Sequence, residues 1–227
     1  MIMNPKVSCI IPAYNEEQRI SAVLNIVKDH PLIEEIIVVN DHSKDNTHKI
    51  VESFSGIKLI SYAQNRGKTY ALLRGIKESR NELIMFLDSD LNGLSKEDLT
   101  DLINPILNNQ AEISLSLRKN SLLIFRALGL DFVSGERVLN KNLLPDFDAM
   151  LNLPGFGFES FLNRIIIEKK LRLKIVKWNK VSHARKSEKV GLIKGTFGDI
   201  SMIKNIIQTI GLKGIFYQII KMRSLKV

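Results

Sequence analysis

The chain has 227 residues, of which 44% are hydrophobic and 25% charged, and its formal net charge is +9. This length and composition are typical of one globular domain, or of one domain with an appendage. No apolar run reaches the roughly 20 residues that a membrane-spanning helix needs. The first residues lack the layout of a signal peptide, because Pro12 interrupts the first apolar run. We therefore expect a cytoplasmic protein, with Cys9 buried in a strand rather than acting as a reactive thiol.

The basic surplus lies entirely in the second half of the chain. Residues 1–115 carry 12 Lys and Arg against 16 Asp and Glu, whereas residues 116–227 carry 21 against 8. Such a surplus favours an anionic partner, which can be a phosphate, a lipid head group or a nucleic acid. The sequence shows no aromatic–basic stacking pattern and no recognition helix, so we expect no nucleic-acid partner.

Apolar strands and amphipathic helices alternate through the first half. The predicted strands cover about residues 7–12, 36–39, 57–62, 83–87 and 113–117. A helix with apolar residues at helical spacing follows each of the first four. This alternation predicts an α/β fold with a doubly wound, mainly parallel sheet and helices on both faces.

The alternation ends beyond Arg118. Residues 119–158 are predicted to form loops and short helices, followed by a helix over 159–169 and a strand over 171–177. The last segment, residues 196–227, is predicted to be a basic amphipathic helix, or a pair broken at Gly211 and Gly214. This segment either packs on the core or lies on a membrane surface.

Two aspartates follow the fourth predicted strand directly. Asp88 and Asp90 cannot lie inside a buried strand without a large desolvation cost, so we expect them at its C-terminal edge. Side chains at i and i+2 of an extended chain point to the same side, roughly 7 Å apart. That arrangement suits one divalent ion with sites left open for a phosphate, although an Asp-x-Asp pair also occurs as a turn and helix cap.

Other polar loops follow the first three strands, at Tyr14–Glu17, Asp41 and Asn65–Lys68. Because loops at the carboxyl ends of parallel strands share one edge, we expect them to form one crevice with the two aspartates. Tyr14 would stack on a base, Asp41 would accept hydrogen bonds from it, and Arg66 or Lys68 would contact phosphate. Taken singly, Asp41 is equally well explained as a helix cap, and Glu16 as a first-turn partner of the helix dipole.

Four segments together resemble, in order and spacing, family 2 glycosyltransferases of the GT-A fold, notably the transferases that act on polyprenyl or dolichol phosphates. These segments are Val7–Glu17, Val38–Thr47, Asn65–Lys68 and Leu87–Asp90. The resemblance implies an inverting transfer of a sugar from a nucleotide sugar, such as a UDP- or GDP-sugar, with Mg²⁺ or Mn²⁺. It divides the predicted domain, residues 1–195, into a nucleotide-binding half (1–117) and an acceptor-binding half (118–195).

The resemblance also assigns residues to the donor site. Those implied to contact the nucleotide sugar are Pro12, Tyr14, Glu16, Asp41, Lys68 and Asp88. Asp88 and Asp90 are the implied metal ligands, and Asp90 is also implied to be catalytic. Asn40 and His42 depart from the usual residues of the second segment.

In the second half, Ser134–Arg137 and Gly155–Glu159 look like the acceptor-side loops of these relatives. Glu159, at a predicted helix start, is implied to act as a general base or as a positioning group, the alternative being a helix N-terminal charge. His183 is implied to be a third metal ligand, or else a solvated side chain. The candidate phosphate-binding residues are Arg137, Arg185 and Lys186.

The acceptor is expected to carry a phosphate, with a polyprenyl phosphate on the inner face of the membrane as the first choice. A soluble phosphorylated acceptor is the second. A non-catalytic nucleotide-sugar binder and a nucleotidyltransferase are the alternatives from other classes. The latter is disfavoured because a Gly-rich, Arg-containing loop does not follow the first strand.

Overall fold

The structure, a computed structural model, describes residues 6–145, 150–151, 157–183 and 192–227; within 192–206, and at 209, only the backbone is described. The strands are β1 Val7–Ala13, β2 Ile33–Asn40, β3 Ile57–Ser61, β4 Leu83–Phe86, β5 Leu91–Asn92, β6 Ile113–Arg118, β7 Arg137–Asn140, β8 Leu173–Trp178 and β9 Ser182–His183. The helices are α1 Ile20–Val27, α2 Thr47–Glu52, α3 Lys68–Glu78, α4 Lys96–Leu107, α5 Leu123–Leu128, α6 Gly157–Glu168 and α7 Leu192–Ser224, with a 3₁₀ turn at Lys141–Leu143.

Seven strands form one sheet in the order β3-β2-β1-β4-β7-β6-β8. All neighbours are parallel except β7, which runs antiparallel between β4 and β6. The α/β fold with a mainly parallel sheet is therefore confirmed, and the five strands predicted in the first half are all present. A separate two-stranded sheet joins β5 to β9.

Helices cover both faces of the sheet because successive strand residues point to opposite sides. In β1, Cys9 and Ile11 pack on the side of α1 and α4. Ile10 points the other way and packs with α3 and α6. We call these two clusters the α1/α4 core and the α3/α6 core.

The first sequence prediction that needs correction concerns Pro12. Pro12 does not end the first strand, which continues to Ala13. Ala13 O accepts a bond from Asp41 N on the β2 side, and Ile10 O accepts one from Leu87 N on the β4 side. Backbone groups two residues apart point to the same side, so the nitrogen of Pro12 faces β4, as Ile10 O does. The pairing with β4 has already ended there, so the missing N–H of Pro12 removes no hydrogen bond of the sheet.

The second correction is strand β7, which lies in a stretch predicted as loops and short helices. Its only large apolar side chains are Val138 and Leu139, flanked by Arg137 and Asn140. Two apolar residues give no detectable periodicity. The strand exists because β4 and β6 both present free edges to it.

The C-terminal helix α7 begins at Leu192, before the predicted boundary at 196, and is broken at Gly211, where φ is 68° and ψ is 165°. Gly214 lies inside the second part and does not break it. Ile219 and Met222 are buried in the α3/α6 core, and Leu173 N in β8 donates to Leu225 O at 2.9 Å. Among the helices described, none is both long and apolar enough to cross a bilayer.

His30 provides a test of the packing between α1 and α4. The imidazole is 3% exposed, its Nε2 lies 3.1 Å from Lys96 O, and its Nδ1 accepts Leu32 N–H at 3.3 Å. Since Nδ1 accepts, the buried ring is the neutral tautomer with its proton on Nε2. Burial lowers the pKa of His30.

In the unfolded chain His30 becomes protonated below about pH 6.5, whereas in the folded chain its protonation needs a lower pH. The free energy of unfolding should therefore fall as the pH drops through about 6.5. We expect urea titrations of the protein to lose up to about 1 kcal/mol from this group between pH 7.5 and 5.5. His30→Gln, which has no such titration, should show a smaller loss over the same interval. An equal pH dependence in both proteins would contradict the assignment.

Candidate active site

The two aspartates leave the sheet at its C-terminal edge. Strand β4 ends at Phe86, and Leu87 N makes the last backbone bond to β1, donating to Ile10 O at 3.1 Å. Asp88 and Asp90 come next and line a crevice of about 820 Å³, which we call the Asp88 crevice. A volume of this size is typical of small-molecule sites.

Lys68, the first residue of α3, also lines the Asp88 crevice. Its Nζ lies 2.8 Å from Asp88 Oδ1 and 3.2 Å from Glu159 Oε1. Burial by itself would lower the pKa of Lys68, but the carboxylates of Asp88 and Glu159 raise it above its ordinary value. The ammonium therefore stays charged between the two carboxylates.

Gly135 makes this close approach possible. A Cβ at this position would lie 2.7 Å from Lys68 Nζ and 3.1 Å from Asp88 Oδ1. Any side chain here would therefore displace the lysine from the aspartate. This steric limit explains why the segment Ser134–Arg137 carries a glycine.

Arg118 is a site residue that the sequence did not single out. It ends β6, lines the crevice and is 9% exposed. Its Nη1 lies 3.6 Å from Asp88 Oδ2 and 2.5 Å from Glu136 Oε1, and its Nη2 lies 3.8 Å from Asp131 Oδ2. Its buried Nε has no hydrogen-bond partner. The available signal was an arginine ending a strand that alternates Ser114 and Ser116 with apolar residues.

Glu136 holds Arg118 from the protein side. The carboxylate is fully buried, and its Oε2 accepts hydrogen bonds from Ser116 Oγ and Ser134 Oγ, both at 2.6 Å. Burial raises the pKa of Glu136, and the Arg118 guanidinium opposes that rise. Three protein groups thus fix one carboxylate, which in turn orients Arg118.

Lys68 and Arg118 both lower the pKa of Asp88. Burial alone would raise the pKa of Asp88, but Lys68 and Arg118 bring it well below its usual range. Asp88 is therefore an anion at neutral pH, as a metal ligand must be.

His183 reaches the crevice through the small second sheet. β9 pairs with β5 so that His183 lies opposite Leu91, the residue after Asp90. Asn120 fixes the backbone from the other side, since its Nδ2 donates to His183 O at 3.0 Å and its Oδ1 accepts His183 N–H at 3.3 Å. The position of His183 next to the aspartates thus depends on pairing between segments about 90 residues apart.

The imidazole of His183 is suited to a metal. Burial, and then the Arg118 charge, lower the pKa of His183, so the ring is held neutral. Its Nδ1 is buried without a hydrogen-bond partner. A neutral imidazole with a free nitrogen, next to two carboxylates, is a donor set that binds divalent ions. Within the described ranges, however, no three His, Cys, Asp or Glu side chains are already close enough to hold a metal, and Lys68 pairs with Asp88 instead.

Asp41 lies outside the lining of the Asp88 crevice and fixes the loop that leads to it. The buried carboxylate accepts Arg66 N–H on Oδ1 at 2.7 Å and Gly67 N–H on Oδ2 at 2.8 Å. Asn65 Nδ2 donates to Asp41 O at 3.0 Å. Asp41 thus fixes the loop that precedes α3 and so helps to position Lys68, while its contact with a base stays a prediction.

The other donor-site residues lie at the same sheet edge but not in the crevice lining. Pro12 is buried inside β1, Tyr14 is 46% exposed, and Glu16 is buried with its N–H donating to Thr47 Oγ1 at 2.8 Å. Glu17 N–H donates in the same way to Asp45 Oδ2 at 3.1 Å. The structure therefore ties the loops after β1 and β2 together, and the contact of these residues with a nucleotide stays a prediction.

Arg137 does not have the position expected of a phosphate-binding residue. It is fully buried, and its Nε, Nη1 and Nη2 donate to Ser134 O, Asn163 Oδ1 and Phe132 O at 2.8–2.9 Å. Burial lowers its pKa to about 10. We correct the prediction: Arg137 is bonded within the protein interior, whereas Arg118 lines the crevice. Arg185 and Lys186 lie outside the described residues.

Glu159 lies in the first turn of α6, as predicted, but it is 3% exposed. Whether Glu159 acts as a general base, as a positioning group or only as a charge at the helix N-terminus stays a prediction. Its carboxylate faces Lys68, so it can act through that lysine.

One wall of the crevice is apolar. Leu122, Leu123 and Phe125 of the α5 region line it together with Arg126. Leu123 is 79% exposed and the adjacent Ile124 is 60% exposed. The crevice thus combines an ionic end, around Asp88 and Arg118, with an exposed apolar end.

Comparison with known proteins gives a consistent result. The model of "Glycosyl transferase family 2" matches residues 8–123, just over half of the chain. The dolichyl-phosphate beta-glucosyltransferase of Dictyostelium discoideum is 29% identical over 74% of this chain and 51% of its own length. The UDP-N-acetylglucosamine–dolichyl-phosphate N-acetylglucosaminyltransferase of Methanococcus voltae is 28% identical over 96% of both chains. The chain thus spans about half of the first relative and nearly all of the second.

Among solved structures, glucosyl-3-phosphoglycerate synthase from Mycobacterium tuberculosis, in complex with Mn²⁺, UDP and glucosyl-3-phosphoglycerate, has a TM-score of 0.70 and 22% identity. The match covers 90% of this chain and 80% of that chain. At this identity the likeness concerns the fold, which agrees with the sheet described above. On the family match, this chain belongs to glycosyl transferase family 2.

Proposed function

We propose that this protein is an inverting, metal-dependent glycosyltransferase that moves a sugar from a nucleoside diphosphate sugar to a phosphate-bearing lipid. The observation that carries the proposal is the Asp88 crevice, in which acidic, basic and exposed apolar side chains share one space. Relatives named for dolichyl-phosphate acceptors support the lipid. The donor would be a UDP- or GDP-sugar, and the reaction would take place in the cytoplasm at the inner face of the membrane.

Asp88, Asp90 and His183 would hold the divalent ion, Mg²⁺ or Mn²⁺, since all three line the crevice. When bound, the ion supplies positive charge to the diphosphate leaving group. The Lys68 ammonium would then move from Asp88 to the phosphates of the donor. One carboxylate oxygen cannot bind the metal ion and the ammonium equally strongly at the same time. Glu159, 3.2 Å from Lys68 Nζ, would keep that ammonium in place.

The acceptor phosphate would meet Arg118. Its guanidinium lies beside Asp88 and has a buried Nε without a partner, and a planar guanidinium can donate two parallel bonds to a phosphate. A phosphate oxygen is already anionic, so it can attack the anomeric carbon without a general base. Under this proposal Glu159 is a positioning residue rather than a base.

A soluble phosphorylated acceptor is the second candidate. It is favoured by the fold neighbour named for 3-phosphoglycerate. The two candidates differ in their use of α5, because a small acid would leave Leu123 and Ile124 without a partner, whereas a lipid chain would cover them.

The first prediction concerns the carboxylates. Asp88→Asn and Asp90→Ala should each lower metal-dependent turnover of the nucleotide sugar by about a hundredfold or more, since each removes charge from the leaving-group site. Turnover should be measured as release of nucleoside diphosphate across a panel of UDP- and GDP-sugars with Mg²⁺ or Mn²⁺. Glu97→Gln, an exposed carboxylate in α4, is the matched control. A non-catalytic binder would keep its biological activity with Asp90→Ala, and that outcome would overturn the proposal.

The second prediction concerns the support of Arg118. Glu136→Gln keeps the contacts with Ser116 and Ser134 but removes the charge that orients the guanidinium, so kcat/KM for the acceptor should fall about tenfold or more. The KM for the donor should change little. Asp131→Asn is the control, because Asp131 lies farther from Arg118, at 3.8 Å, and its effect should be smaller. Equal losses for donor and acceptor would indicate general damage instead.

The third prediction separates the acceptors. Changing Leu123 and Ile124 together to serine should lower kcat/KM for a long-chain polyprenyl phosphate about tenfold or more, since two exposed apolar contacts are lost. Activity with a ten-carbon prenyl phosphate in solution should be nearly unchanged, which serves as the internal control. If only a phosphorylated sugar acid or glycerate is glycosylated, the lipid acceptor is wrong and the second candidate holds.

A further inference from the structure

The C-terminal part of α7, from residue 212 onward, carries apolar side chains both on the face that packs on the core and on its exposed side. One face packs on the α3/α6 core through Ile215, Ile219 and Met222. Gln218 fixes the same face to α6, since its Nε2 donates to Ser160 O at 3.1 Å and its Oε1 accepts Asn163 Nδ2 at 3.0 Å. The helix is therefore docked firmly, and its orientation is set by the protein interior.

The exposed side of this helix carries large apolar side chains. Leu212, Phe216 and Ile220 recur at every fourth residue and are 58%, 64% and 63% exposed. Tyr217 beside them is 54% exposed. Residues four apart lie on one side of a helix, so the four form a continuous stripe. An exposed apolar surface of this kind marks an interaction site.

Positive charge surrounds the stripe. Lys213, Lys221 and Arg223 are exposed on the same part of the helix, and residues 200–227 contain five Lys and Arg and no Asp or Glu. A second copy of the chain would place like charges against each other, which disfavours a symmetric dimer through this face. An anionic surface would be attracted to it.

We infer that this stripe docks on an anionic lipid bilayer, with the apolar side chains entering the interface and the cations meeting the head groups. We call it the α7 outer face and define it by Leu212, Lys213, Phe216, Tyr217, Ile220 and Lys221. Aromatic and aliphatic side chains next to Lys and Arg are the usual composition of helices that lie in the membrane plane. None of these residues lines the Asp88 crevice. The docking is therefore independent of the proposed transfer reaction, and it is measured without donor or acceptor.

Vesicle flotation tests the proposal with the full chain. The protein should float with vesicles of phosphatidylcholine containing 30% phosphatidylglycerol and should bind pure phosphatidylcholine at least about tenfold more weakly, since each cation near the surface contributes to binding. Phe216→Gln combined with Ile220→Gln should lower the partition coefficient on the anionic vesicles by at least about tenfold. Lys213→Glu combined with Lys221→Glu should do the same.

A matched control changes the same charge elsewhere. Lys28→Glu combined with Lys49→Glu alters two exposed lysines of the α1 and α2 region and should keep nearly full binding. Circular dichroism and the thermal midpoint should show that all variants fold, as expected for substitutions at exposed positions. Nucleoside diphosphate release from the donor, measured without vesicles, should be unchanged in the outer-face variants.

Three outcomes would overturn the inference. They are no flotation with anionic vesicles, equal binding of the outer-face variants and the control, and a dimer in light scattering that is lost only in the outer-face variants. The last would assign the face to a second copy of the chain. Loss of flotation with normal donor turnover would reject only the docking, whereas normal flotation without turnover would reject only the transferase.

Discussion

The carboxylates of Asp88, Glu136 and Glu159 form ion pairs with Lys68 and Arg118 at the C-terminal edge of the sheet, and the rest of the site depends on these pairs. Glu136 and Glu159 are buried and Asp88 is partly so, which costs several kcal/mol unless cations and hydrogen bonds compensate. Lys68 forms ion pairs with Asp88 and Glu159, and Arg118 forms ion pairs with Asp88 and Glu136. This balance requires both cations to approach closely, which is why Gly135 has no side chain and why the loop before Lys68 is fixed by Asp41.

The same balance explains how the site can accept ligands. In the protein alone, Lys68 neutralises Asp88, so the carboxylates are held in place without a metal. A divalent ion would take over that role and release the ammonium for a phosphate. Arg118 would keep its position in this exchange, because Glu136 is held by Ser116 and Ser134.

Among the residues that the structure describes, the α5 wall and the α7 outer face are apolar surfaces outside the cores, and we assign them different roles. The α5 wall opens from the Asp88 crevice and is suited to the chain of a lipid acceptor. The α7 outer face lies away from the crevice lining and is suited to a bilayer. A protein that takes its acceptor from a membrane needs both features, one for the substrate and one for the surface that holds it. Each can be tested without the other.

The sequence by itself determined the elements whose signal is local. Continuous apolar runs predicted β1, β2 and β4, helical spacing predicted α1 and α3, and the position of Asp88 and Asp90 followed from the cost of burying them. Only the tertiary structure decided the position of β7 and the pairing of β5 with β9, which brings His183 beside the aspartates. It also decided that Arg118, rather than the predicted Arg137, lines the crevice. These features depend on contacts between distant segments, where two apolar residues or a single charge carry no periodic signal. Whether an arginine points inward or outward is decided by the carboxylates and carbonyls that reach it, and folding alone brings those groups together.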